Sequence, residues 1–250
     1  MSRQARLMAV RERLAALEGA QDRGVLPFGD PRIDGRLPGG GLALGHWHEA
    51  AGEGIEIETA AAASAFIAAL LKPLALRGAV VWVMRRQDLY APGLAALGFP
   101  AERLIQVCAP NETEALVALE DALGATGVVA AVGEVEALDL IAGRRLQLAC
   151  ERSGATGFVI RRRLFGGDKA APHLGAAAAT RWRIASAPSE PEPGEPGLGP
   201  PRWRVELERC RGGRTGAWIM EKSDDALPLR VVAELGDRQL DTEKSFRLAG

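Results

Sequence analysis

Residues 34–84 read DGRLPGGGLALGHWHEAAGEGIEIETAAAASAFIAALLKPLALRGAVVWVM, and the order of elements in this stretch decides the fold. Proline and glycine interrupt any regular element from Val25 until the run Gly45-His-Trp-His-Glu, which reads as a strand. Residues 60–71 are almost entirely alanine and leucine-like, which predicts a helix. That helix should stop before Pro73, because the proline ring disfavours helical geometry in the residue ahead of it. Residues 78–84 then read as a buried strand.

The same alternation continues outward. Residues 91–97 predict a short helix, 104–109 a strand, 112–123 a helix, 127–132 a strand, 136–151 a helix and 156–160 a strand. Near-continuous apolar strands alternating with helices signal an α/β fold with a mostly parallel central sheet covered by helices. The ending differs. Residues 179–185 and 203–211 alternate polar and apolar side chains, as half-exposed antiparallel strands do, and with 216–221 they predict an antiparallel β-meander.

Between the first two of these strands lies SAPSEPEPGEPGLGPP, with six prolines in sixteen residues, too polar and proline-rich to join a core. Residues 186–202 are therefore expected to be a flexible insertion. At the front, Leu7, Val10, Leu14 and Leu17 recur at spacings of three and four, one apolar stripe on a helix that ends near Gly19. The stripe packs either on the chain's own core or on a neighbouring chain, which makes these four residues the partner-binding candidates. The expected organisation is an N-terminal helix over 1–24, one domain over 25–222 and a tail over 223–250, where apolar residues are few after Leu235.

With 47% hydrophobic and 25% charged residues the chain has the composition of a soluble globule. No stretch approaches the roughly 20 apolar residues of a membrane span. The opening MSRQARLMAVRERL has no apolar core of the secretory type, so a cytoplasmic location is expected. Cys108, Cys150 and Cys210 are widely spaced and form no CxxC, which fits buried reduced thiols better than a disulfide or zinc framework. His46 and His48 precede Glu49, but Gly52 stands where HExxH requires histidine, and no third ligand is near; no metal is expected. No Ser-His-Asp or Cys-His arrangement is readable.

The net charge of −1 hides an uneven division: residues 1–143 carry −6 and residues 144–214 carry +7. A basic segment in a near-neutral chain is a candidate for polyanion binding.

The lead-in from Asp34 to Gly45, followed by His46-Trp-His-Glu, resembles the start of a RecA-type ATPase core, in which a glycine-rich stretch precedes a P-loop. At the P-loop position the chain reads Ala51-Gly-Glu-Gly-Ile-Glu-Ile-Glu-Thr. A working P-loop needs G-x-x-x-x-G-K-[ST], with backbone N–H groups around the phosphates, a lysine on their oxygens and a hydroxyl on magnesium. The lysine is missing, and Glu53, Glu56 and Glu58 put three carboxylates where polyphosphate would sit. Gly52, Gly54 and Thr59 remain as a vestige. RecA-like proteins end the next strand with a catalytic glutamate, and here Arg85 and Arg86 stand there. The Walker B strand reads Gly127-Val-Val-Ala-Ala-Val-Gly-Glu, which puts Gly133 at the aspartate position with Glu134 beside it. These departures imply a protein that does not hydrolyse ATP and carries no cofactor.

Within this group the chain is similar to the ImuA family over residues 25–222, most specifically in LPGGGLALGHWHE (37–49), LYAPGLAALGFPAERLIQV (89–107) and RWRVELERCRGGRTGAWIMEK (202–222). The resemblance implies an accessory protein of SOS-induced, error-prone translesion synthesis. Its implied partners are ImuB, an inactive Y-family polymerase homologue, and an error-prone polymerase complex; self-association through the N-terminal helix is allowed separately, by the apolar stripe. RecA-like recombinases touch single-stranded DNA through loops at the ends of central strands, and the matching stretch is Arg161-Arg-Arg-Leu-Phe-Gly-Gly-Asp-Lys. Arg161, Arg162, Arg163 and Lys169 could neutralise phosphates, and Phe165 or Trp182 could stack on a base. Arg181, Arg183, Arg209, Arg211 and Arg214 extend the basic character along the late strands. Equally, these arginines could pair with carboxylates or sit solvated. Two rival readings stay open: a DNA-dependent ATPase with a non-standard P-loop, and a division inhibitor acting by protein contact.

Overall fold

The computed structural model describes residues 23–53, 56–162, 178–191, 194, 196–224 and 227–235, with residues 56–60 by backbone alone. The helix predicted at the N-terminus, with Leu7, Val10, Leu14 and Leu17, lies outside the described residues, as do Gly54, Arg163, Phe165 and Lys169.

The chain enters through a small antiparallel pair, β1 (Val25–Leu26) and β2 (Leu42–Ala43), with a four-residue helix α1 (Pro31–Asp34) and a 3-10 turn (Pro38–Gly40) between them. Glycine is needed here for close approach: a Cβ on Gly41 would lie 2.7 Å from the Leu26 carbonyl oxygen. Next come β3 (Trp47–Gly52), α2 (Glu56–Ala75), β4 (Ala79–Met84), α3 (Ala91–Ala96), β5 (Leu104–Cys108), α4 (Glu112–Gly124), β6 (Val128–Val135), α5 (Leu140–Ser153) and β7 (Thr156–Arg161). The described residues end in β8 (Thr180–Ala187), β9 (Arg202–Cys210), β10 (Gly216–Lys222) and β11 (Leu229–Leu235).

Among the described residues nine strands form one sheet in the order β11-β10-β9-β8-β3-β7-β6-β4-β5. Pairing is parallel from β8 through β3, β7, β6 and β4 to β5, and antiparallel from β8 to β11. The α/β class, the parallel core and the meander thus stand as the sequence predicts.

Helices cover the sheet on both faces. On one, α2 lays Ala62, Ala63, Phe66, Ala68 and Ala69 against Trp82, Phe158, Trp182 and Trp203. Its alanines let backbone and sheet approach closely, and Phe66 meets Trp203 edge-on with ring centroids 6.0 Å apart. On the other, α4 and α5 bring Ala115, Leu119, Leu146 and Ala149 against Trp47, Val83 and Val159. Asn111 caps α4 by accepting from the Glu114 N–H, and Asp139 caps α5 by accepting from the Ala142 N–H.

Three elements depart from expectation. Helix α2 runs through Pro73 to Ala75, because proline deletes one hydrogen bond near a helix end already fastened by buried Leu70, Leu71 and Leu74. Helix α5 starts at Leu140 rather than 136, since Glu136 and Ala137 give their N–H groups to the Glu112 carboxylate. And part of the segment read as a tail is β11, which buries Leu229 and Val231 and completes the sheet edge.

Candidate functional site

The C-terminal ends of β3, β4, β6 and β7 gather the residues that the sequence reading sets at a vestigial nucleotide site. Along β6 the side chains of Ala130 and Val132 face α2, so Glu134 does as well, while a Cβ on Gly133 would point at Leu119 of α4. Glu134, rather than Gly133, therefore holds the position on the P-loop side of the sheet, which corrects the alignment read from sequence. Its carboxylate is nearly sequestered, with 3% of the side chain exposed. Trp82 Nε1 donates to one oxygen at 2.8 Å and Arg162 Nη1 to the other at 2.5 Å. The same guanidinium holds Asp88 through Nη1 at 2.9 Å and Nη2 at 2.8 Å. Burial pushes the Glu134 carboxyl up from its ordinary value against the pull of Arg162 and Trp82, whereas the hydrogen bonds from Arg162 hold Asp88 below its ordinary value.

Gly52 ends β3, and the turn beyond it is fastened from the far side of the sheet. Glu53 takes Arg204 Nη1 on both carboxylate oxygens, at 3.0 and 2.7 Å, and its N–H donates to the Ile184 carbonyl at 3.0 Å. Thr59 lies within α2. Where a catalytic glutamate would stand, Arg85 Nη1 bonds Glu112 at 3.2 Å and Glu136 at 3.0 Å. Arg85, Arg86 and Arg162 line a small cleft with Glu134, Val135 and Glu136. Asp88, Glu112, Glu134 and Glu136 outnumber these three guanidiniums, so the cleft is no anion trap.

Three of the sequence-predicted basic residues, Arg161, Arg162 and Arg181, are turned inward, whereas Arg183, Arg211 and Arg214 are exposed. Arg161 Nη1 lies 3.5 Å from one oxygen of buried Glu49, and Arg181 Nε lies 3.1 Å from the other. Arg161 Nε also donates to the Glu136 carbonyl at 3.0 Å. Arg183 pairs with Glu208, and Arg214 donates to the Gly35 carbonyl at 3.1 Å. Arg209 faces Arg181 in the β8–β9 register, and Arg211 is exposed beyond β9. The sequence hid these pairings because their partners lie up to 179 residues away.

Two expectations need correcting. Trp182 cannot stack on a base: it is 1% exposed, packs on Phe28 and donates Nε1–H to Thr180 Oγ1 at 2.6 Å. The thiols are not uniformly buried either, since Cys108 is exposed on edge strand β5 and only Cys150 is fully buried. Burial pushes the Cys150 thiol up to about 12. His48 is also fully buried, with Nδ1 2.7 Å from Thr180 Oγ1 and Nε2 2.9 Å from the Ala43 carbonyl. The Thr180 hydroxyl accepts from Trp182 and donates to His48 Nδ1, which leaves Nε2–H to donate to Ala43 and fixes a neutral imidazole. Among the described residues no group of three or more His, Cys, Asp and Glu stands ready for a metal, and no helix is long and apolar enough to cross a membrane.

Over 234 residues the chain is 56% identical to Protein ImuA of Caulobacter vibrioides strain NA1000 / CB15N, a match covering 90% of this chain and 96% of that protein. The chain belongs to the ImuA family. Protein ImuA of C. vibrioides strain ATCC 19089 / CIP 103742 / CB 15 matches the chain to the same extent. The crystal structure of the RadB recombinase aligns with a TM-score of 0.53 at 17% identity, over 79% of this ImuA-family chain and 96% of its own. That likeness speaks to fold alone, and the fold is RecA-like. No protein-family model matches the chain. ImuA membership supports a role in damage-induced mutagenesis at the level of the family.

Proposed function

We propose that this ImuA-family chain is a non-catalytic accessory protein of SOS-induced, error-prone translesion synthesis, acting through contacts with an ImuB-like inactive polymerase homologue and, through it, an error-prone polymerase. The observation that carries the non-catalytic part is the engagement of Glu134. Its two oxygens are taken by Trp82 and Arg162, and a guanidinium is a fixed cation that does not give way to a metal by losing a proton. The residues do not fit a magnesium nucleotide elsewhere either: Glu58 replaces the phosphate-binding lysine, and Arg85 replaces the catalytic acid.

Contact with single-stranded DNA belongs to the same reading. Because Arg161, Arg162 and Arg181 serve internal carboxylates, that contact is assigned to the remaining basic residues of the 161–169 stretch, Arg163 and Lys169.

Co-expression with an ImuB-like protein tests the reading. A stable one-to-one or higher complex that survives gel filtration is the expected result. Two proteins that elute separately under all conditions would overturn it.

A further inference from the structure

Helices α4 and α5 lie side by side on one face of the sheet and are opposite in charge. Helix α4 carries four carboxylates and no base, whereas α5 carries three arginines against one glutamate. Bare apolar side chains stand among these charges: Val117 of α4 is 43% exposed, and Ile141 and Leu148 of α5 are 73% and 46% exposed. Asp121 and Arg144 are exposed too, and among the described residues neither has an ion-pair partner.

The geometry of the two helices says what fits this face. Each returns from one parallel strand to the next, α4 from β5 to β6 and α5 from β6 to β7, so they run in the same direction. Arg145 Nη2 lies 2.6 Å from Glu120 Oε2, which levels residue 145 with residue 120 and marks the flanks on which the helices adjoin. One residue turns a helix by about 100°, so Asp121 stands on the outer side of α4 away from α5, and Arg144 on the outer side of α5 away from α4.

A second copy can face this one about a twofold axis lying across the helices or along them. Across them, α4 meets α4 and carboxylates oppose carboxylates. Along them, α4 meets α5 and unlike charges oppose. With residue 145 level with residue 120, Ile141 of one copy then falls opposite Val117 of the other. Arg144 comes within two residues' rise of Asp121, about 3 Å along the helix and on the same flank.

We propose that this chain forms a twofold homodimer through the outer faces of α4 and α5, the α5 of each copy lying parallel on the α4 of the other. Ile141 packs on Val117, Arg144 pairs with Asp121, and the two Glu120–Arg145 pairs meet around the axis. The face measures about 20 Å by about 20 Å, at the low end for specific interfaces, so the dimer is a reversible one with micromolar dissociation.

Sedimentation velocity of the full chain from about 1 to about 100 μM tests the proposal. Reducing buffer excludes dimers bridged through exposed Cys108. The unaltered chain should pass from monomer to dimer and no further. Arg144→Glu and Asp121→Arg should each weaken the dimer about tenfold or more, since each puts like charges at both symmetry-related contacts. An equimolar mixture of the two variants should dimerise again, because residues 144 and 121 are then opposite in charge at both contacts of the mixed dimer. That recovery also shows that both variants are folded. A chain that stays monomeric throughout, species that grow past the dimer, variants that dimerise as the unaltered chain does, or a mixture that stays monomeric would each overturn the proposal.

Discussion

Arg162 Nη1 stands 2.5 Å from Glu134 Oε2, and the same guanidinium grips Asp88 with both terminal nitrogens. One fixed cation thus serves a nearly buried carboxylate on β6 and a half-exposed one after β4, and ties the ends of β4, β6 and β7 together. Removing one partner of a buried pair leaves an uncompensated charge, which costs about 3 kcal/mol. Arg162→Ala should lower the unfolding free energy by that amount in urea. Adding Glu134→Gln should recover much of it, because an amide still accepts from Trp82 Nε1 without a charge to bury. Additive losses in the double variant would contradict the pairing.

Gly133 separates two explanations of the altered Walker B strand. A Cβ there would lie 2.5 Å from Leu119 Cδ2, on the α4 side of the sheet. Gly133→Ala is expected to cost about 1–3 kcal/mol by overpacking. Gly133→Asp should cost more and confer no magnesium-ATP binding, since its carboxylate enters an apolar layer facing away from α2. A thermal melt of both variants, with a nucleotide titration of the second, checks this.

His48 predicts an acid limit to stability. Burial holds its imidazole down to about 4, below the free value of 6.5. The unfolded chain therefore binds more protons between these values. The stabilisation is complete above about pH 6.5 and is lost as pH falls towards 4, an effect of roughly 3 kcal/mol. Urea unfolding of the unaltered chain should weaken over that window, and the His48→Gln chain should show a flatter dependence. Parallel profiles would contradict the assignment.

Single-stranded DNA binding should weaken with salt. If Arg163 and Lys169 each meet a phosphate, their joint replacement by alanine reduces the log–log slope by about 1.4. Fluorescence anisotropy with a labelled oligothymidylate measures it, and an unchanged slope would remove DNA contact from these two residues.

The layout of the fold was legible because it depends on local patterns: the apolar run of β4, the alanines of α2 and the alternation of β8 and β9 each declare their element within a few residues. Strand facing was less so. Whether Gly133 or Glu134 looks towards α2 depends on a parity that the apolar run Val128–Val135 does not mark, and only the packing of Val132 and Leu119 settles it. The basic segment misled for another reason. Arg161 and Arg162 look like a phosphate-binding run, yet Glu49 and Glu134, on distant strands, are brought beneath them by parallel pairing with β7. β11 was hidden by the polar residues of an edge strand, where Arg230 and Glu234 face outward to pair with Glu221 and Arg36.

Titration of the purified chain with magnesium-ATP, followed calorimetrically with and without single-stranded DNA, tests the central claim most directly. The proposed non-catalytic reading predicts no saturable heat up to millimolar nucleotide and no phosphate release. Saturable binding at micromolar nucleotide, with hydrolysis stimulated by DNA, would contradict it and make the chain a working ATPase.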